Sequence, residues 1–160
     1  MHIRRYAHDD LARLTELTID TFRPFYEDTF KTLLGEAIFA NQHGSWRDDY
    51  REQVAGLHDP EQHRHVAVAE TGGMIAGYVA WSVDPARENG TVTILAVDAA
   101  HRRARAGTAL CRHAFDEMRR AGARVAEIGT GGDAFHAPAR ALYEQLGCTP
   151  LPVTVYYREL

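Results

Sequence analysis

Hydrophobic and polar positions change their period several times along this chain, and each change marks an element. His2 to Tyr6 is short and reads as an opening strand. Leu11, Leu14, Leu17, Thr18 and Phe22 then recur at helical spacing, behind Asp9 and Asp10, either of which can cap the first turn. Pro24 is expected to close that helix. From Phe25 to Gln42 the pattern is less regular: Phe25, Tyr26 and Phe30 flank Glu27 and Asp28, followed by an apolar helical stretch at Leu33, Leu34, Ala37 and Ile38. Ser45-Trp46-Arg47-Asp48 reads as a capping box opening a helix to about Leu57, which Asp59-Pro60 ends. The β-rich runs HVAVAE and MIAGYVAWSV, joined by Thr71-Gly72-Gly73, predict a hairpin.

Thr91 to Val97 predicts the next strand, with Val92, Ile94 and Ala96 on one face and Thr93, Leu95 and Val97 on the other, as in a strand buried within a sheet. Asp98-Ala99-Ala100 breaks it. A helix carrying Gly107, Leu110, Cys111, Ala114, Phe115 and Met118 toward the core runs to Gly122. Val125 to Thr130 predicts a strand parallel to its predecessor, by the usual right-handed crossover. Gly131-Gly132-Asp133 leads into a helix with Pro138 in its first turn and Ala139, Leu142, Tyr143 and Leu146 on one face. Gly147 is its stop signal. Val153 to Tyr157 predicts a final strand. No repeat, low-complexity tract or linker interrupts the chain, so residues 1–160 are expected to form one domain of the α/β kind.

Composition narrows the function classes. With 45% hydrophobic and 25% charged residues the chain is an ordinary globular one, and its net charge of −4 argues against a general nucleic-acid binder. Cys111 and Cys148 lack CxxC spacing and fall in or beside helices, so both are expected to pack as reduced thiols. His58, His63 and His65 lack the spaced cysteine or carboxylate partners of a metal site, and no metal is expected. No run approaches the roughly 18 apolar residues of a membrane span, and the amino terminus is polar, so a cytoplasmic protein is expected.

The local chemistry concentrates after the Thr91–Val97 strand. His101, Arg102, Arg103 and Arg105 place positive charge where the first amides of the next helix have no intrahelical acceptor, an arrangement suited to a phosphate. The run LAVDAAHRRARAGTAL resembles the cofactor segment of the GCN5-related N-acetyltransferases (GNAT), a strand followed by Gln/Arg-x-x-Gly-x-Gly/Ala opening a helix. Arg102 matches the first Arg and Gly107 the last Gly, while Arg105 stands at the middle Gly, where its Cβ is expected to exclude positive φ. The run HAPARALYEQLGC is similar to the family's Asn-x-x-Ala-x-x-Leu-Tyr-Glu-x-x-Gly-Phe. Tyr143 matches the Tyr, His136 stands at the Asn and Cys148 at the aromatic residue.

That resemblance implies a GNAT fold: a central, mixed, largely antiparallel twisted sheet with helices on both faces, splayed between the fourth and fifth strands. It implies acetyl-CoA as co-substrate, held by Leu95, Ala96, Val97, Arg102, Arg103, Ala104, Arg105, Ala106, Gly107, Thr108, Ala109 and His136. Tyr143 is implied as the acid that protonates the departing thiolate. Phe25, Tyr26 and Glu27 are implied as a wall for the acceptor, a primary amine on a small molecule or a protein. The Glu that many relatives carry on the fourth strand is Thr91 or Thr93 in this chain, which leaves the base unassigned. A non-catalytic acyl-CoA-binding module is the alternative. Dimers are common among look-alikes, so a homodimer is an available assembly.

Overall fold

Alternation along the central strands sorts their side chains onto two faces, and the two faces become two cores. The computed structural model describes every residue except Arg103. Its strands are β1 (His2–Arg5), β2 (Arg64–Thr71), β3 (Met74–Asp84), β4 (Asn89–Val97) and β5 (Val125–Ile128), hydrogen-bonded in that spatial order. The first three pairings are antiparallel and β4–β5 is parallel. The helices are α1 (Leu11–Pro24), α2 (Lys31–Leu34), α3 (Glu36–His43), α4 (Trp46–Ala55), α5 (Ala106–Arg120) and α6 (Ala137–Gln145). Val66, Val68, Tyr78, Ala80, Ile94 and Ala96 pack against Leu14 and Leu17 of α1 and Val54 of α4. On the opposite face Ala67, Ala69, Val79, Trp81, Val83 and Val92 pack against Leu110, Ala114 and Met118 of α5. The predicted mixed sheet with helices on both faces is therefore present.

In β4 the face changes midway. Ala80 pairs with Ile94 but Trp81 pairs with Val92, so Thr93 is the extra residue of a bulge. Val92 faces α5, whereas Ile94 and Ala96 two and four positions on face α1 and α4. Only a one-residue bulge allows this, since side chains two apart otherwise share a face. Leu95 and Val97 then lean toward α5. One polar pair is sealed in the first core, where Thr18 Oγ1 and the Tyr78 hydroxyl lie 2.5 Å apart and Thr18 also donates to the Leu14 carbonyl at 2.6 Å.

Four local expectations are corrected. Pro24 does not end the helix: the chain stays helical through a π-helical segment, Phe25–Phe30, into α2. A proline lacks its N–H and crowds the carbonyl four residues back, and a widened turn accommodates both. Asp10 does not cap α1 with its side chain. Instead it is gripped by Arg4 through two bonds of 2.8 and 2.9 Å and accepts the Ala7 amide at 2.8 Å. Ser45 makes no side-chain cap bond, and Asp48 pairs outward with Arg51. Finally, residues 149–160 form no strand and lie exposed, with Tyr157 resting its ring 5.8 Å from Phe30. No described helix is long and apolar enough to cross a membrane.

Candidate active site

The site begins where two parallel strands part. β5 pairs with β4 only from Asn89↔Val125 to Val92↔Ile128, while β4 continues five residues further, to Val97, paired on its other side with β3. Among the described residues no strand covers the β5-facing side of Leu95, Ala96 and Val97. The bulge at Thr93 lies at the point of divergence. A strand that bends away from its neighbour is the usual consequence of such an insertion.

The turn that follows is tightly held. Asp98 accepts the Ala100 amide at 2.9 Å, capping the short turn Ala99–His101, and accepts Arg13 Nη2 of α1 at 2.8 Å. Those two bonds keep its carboxyl below the ordinary carboxylate range. Arg102 Nε donates to the Val97 carbonyl at 3.4 Å, closing the end of β4. Arg103, an expected phosphate contact, lies outside the described residues. Ala104 and the Arg105 side chain are exposed. Arg105 overturns one expectation: it sits at φ 59°, ψ 18°, the left-handed conformation that its Cβ was expected to forbid. The backbone thus keeps the path a glycine would take, at a cost of about 1–2 kcal/mol.

α5 starts at Ala106, so the amides of Ala106, Gly107 and Thr108 have no acceptor within the helix, and Ala109 donates to the Arg105 carbonyl at 3.0 Å. A Cβ on Gly107 would meet Leu142 Cδ2 at 3.2 Å, Val97 Cγ2 at 3.8 Å and Leu95 Cδ2 at 3.9 Å. This glycine therefore lets α5, α6 and the end of β4 close on one another. That convergence brings the two sequence motifs together.

α6 ends in a Schellman arrangement in which Cys148 donates to Tyr143 O and Gly147, at φ 87°, donates to Glu144 O. Tyr143 is mostly buried beside Cys111 and Cys148. Burial first, then those thiols, raises its hydroxyl above the ordinary phenol range, with no hydrogen bond contributing. Burial also pushes the Cys111 thiol up to about 12, which fits its packing role. At the other end of α6, His136 Nδ1 lies 2.7 Å from Asp133 Oδ2 and its main-chain N–H donates to Asp133 Oδ1 at 3.3 Å. Arg140 braces this loop by donating to the carbonyls of Gly131 (2.6 Å) and Asp133 (2.7 Å).

Of the three expected acceptor residues, Phe25 and Tyr26 meet edge to face at 5.0 Å, and each has further partners of its own. Phe25 meets His136 ring to ring at 4.8 Å and Phe135 at 5.8 Å, so it does reach the α6 end. Tyr26 stacks on Trp46 at 4.7 Å and lines a cavity of about 110 Å³ with His43, Trp46, Asp49, Tyr50 and Gln53. Glu27 is tied up by Arg47. Sequence reasoning missed Asp133, whose i,i+3 spacing to His136 was a usable signal, and the Arg13–Asp98 link, which spans 85 positions and had none. No group of three or more described His, Cys, Asp or Glu side chains could hold a metal ion.

Residues 12–148 match the Acetyltransferase (GNAT) family. An apo aminoglycoside 6′-N-acetyltransferase from Acinetobacter haemolyticus superposes with a TM-score of 0.68 at 16% identity, covering 100% of this chain and 99% of that one. A transcriptional regulator from Bacillus halodurans gives 0.67 at 16%, covering 99% of each. A GNAT-family acetyltransferase from Brucella melitensis, solved in complex with acetyl-CoA, gives 0.61 at 22%, covering 91% of this chain and 80% of that one. No protein of curated function matches the sequence.

Proposed function

The chain belongs to the GNAT family of acetyltransferases, and from that premise we propose that it carries an acetyl group from acetyl-CoA to a primary amine by direct attack in a ternary complex. The observation that carries this reading is the open edge of β4 running straight into the amino terminus of α5. Acetyl-CoA lies along that edge, its pantetheine amides adding to Leu95, Ala96 and Val97 as a further strand would. Its pyrophosphate meets the amides of Ala106, Gly107 and Thr108, with Ala104 and Ala109 flanking and Arg102, Arg103 and Arg105 supplying charge. Helix-start amides and guanidinium groups are a natural receptor for a phosphate.

Attack on the thioester builds negative charge on the carbonyl oxygen, and a main-chain N–H at the β4 bulge is a donor that needs no reorganisation. The thiolate that leaves needs a proton. Tyr143 is the acid that donates it, general-acid help of this kind being worth about 10²–10⁴-fold. Phe25 and Tyr26 wall the acceptor, and Glu27 helps through its pairing with Arg47. Two reduced thiols support work in the cytoplasm, as one domain.

The test is calorimetry with acetyl-CoA, followed by a thiol assay across a panel of primary amines. Binding heat and amine-dependent release of free CoA are expected. Absence of heat at saturating acetyl-CoA sinks the reading, and binding without amine-dependent release leaves a binding module in its place.

A further inference from the structure

Resting on that acetyl-transfer reading, we propose that His136, oriented by Asp133, is the base that takes the proton from the acceptor's ammonium. The carboxylates of the acceptor wall and of the neighbouring strands are engaged or face outward. Glu27 is engaged with Arg47, Glu127 is exposed on β5 and Glu88 pairs with Arg124 at 3.7 Å. His136 is different: its side chain is only 15% exposed and its Nδ1 is committed to a carboxylate oxygen, Asp133 Oδ2, at 2.7 Å. A carboxylate accepts, so Nδ1 carries the hydrogen and Nε2 is left with the lone pair. Asp133 stays an anion because the bonds from His136 outweigh its burial.

The groups around the imidazole are few. Phe25 approaches from the π-helical segment at 4.8 Å, Phe135 from the loop at 4.9 Å, and Arg140 of α6 spends its donors on the carbonyls of Gly131 and Asp133. The dyad therefore sits where the aromatic wall meets α6. Tyr143 follows seven residues later, toward the other end of α6, about 10 Å along the axis. Base and acid thus belong to opposite ends of one helix, one for the incoming nitrogen and one for the outgoing sulfur.

The step balances. Nε2 removes one proton from the ammonium and passes it to solvent. The neutral amine attacks the carbonyl carbon, the C–S bond breaks, and the thiolate takes the Tyr143 proton. Nitrogen's surplus proton returns through solvent to the tyrosinate, so the sum is an ammonium and a thioester giving an amide, a thiol and one released proton.

His136→Asn decides it, because Asn can still contact pantetheine but cannot accept a proton. With the fastest amine of the panel, turnover is expected to fall about 10²-fold, and the acid-side limb of kcat/KM against pH to vanish. Acetyl-CoA affinity should stay within about threefold, which also certifies the fold. Asp133→Asn should slow turnover about tenfold and shift that limb. Unchanged turnover and profile in His136→Asn, or loss of acetyl-CoA binding in step with activity, overturns the proposal and makes His136 a cofactor contact. A parent that binds no acetyl-CoA would instead remove the acetyl-transfer reading itself.

Discussion

The chain up to Arg120 and the chain after it are built to different standards. In the first region Val68, Ala69, Tyr78, Val79, Ala96, Leu110 and Cys111 are wholly buried, and two helical layers enclose three long strands. In the second, three of the four residues of β5 are exposed, α6 has no fully buried residue, Tyr143 being only mostly covered, and the last twelve positions have no regular structure. The first region is the scaffold, and on the acetyl-transfer reading proposed above the second is completed by acetyl-CoA.

Core truncation should separate the two regions most strongly. Leu110→Ala is expected to cost about 3–4 kcal/mol of unfolding free energy and Leu146→Ala about 1 kcal/mol, read from denaturant midpoints. Similar losses at both sites would erase the contrast. Next, Tyr143→Phe should reduce turnover about 10²-fold while acetyl-CoA affinity and melting temperature barely move. A loss of about 1–3 kcal/mol of stability with intact turnover would make the hydroxyl structural instead.

Acetyl-CoA at a hundred times its dissociation constant should add about 2.7 kcal/mol of stability, with amide protection concentrated in residues 95–109 and α6. Protection confined to β2 and β3 would contradict the division of labour. The scaffold has its own acid limit. Arg4 first, then the Ala7 amide, holds Asp10 below the usual range, and Asp98 and Asp133 are held low too. Depressed carboxyls stabilise fully above their unfolded values near 4, and that contribution is lost as pH falls through the lower folded ones. Asp10→Asn should therefore cost about 2 kcal/mol at neutral pH and flatten the acid limb of stability.

The smallest effect is expected at Arg105. Replacing it with Gly relieves the left-handed strain but adds freedom to the unfolded chain, so stability should rise by no more than about 1 kcal/mol. Acetyl-CoA binding should become less salt-dependent, since one fewer charge meets the phosphates. Unchanged salt dependence would place the Arg105 side chain outside the phosphate site. Gly107→Leu now probes something else: its side chain would run into Leu142 and pry α6 from α5, so loss of acetyl-CoA binding there would report broken packing.

What could be read from the residues was what local physics controls. The two-residue period of β2 and β3, the helical stripe of α5, and glycines at the ends of α5 and α6 each depend on neighbours a few positions away, and all were legible. Both motifs that carry the family resemblance were legible for the same reason, because each is a single strand–turn–helix or helix with its own spacing. Long-range geometry decided the rest. Thr93 becomes a bulge only because β3 dictates the register of β4. Pro24 continues a helix whose further turns pack Tyr26 onto Trp46 of α4. Arg105 accepts a strained backbone because β4 and α5 are held at fixed ends of a short turn. His136 acquires an oriented ring nitrogen only once the Gly131–Asp133 loop is folded back by Arg140. A strand, last of all, needs an edge to pair with: the pattern at 153–157 states a propensity, and the fold of one chain leaves it unpaired.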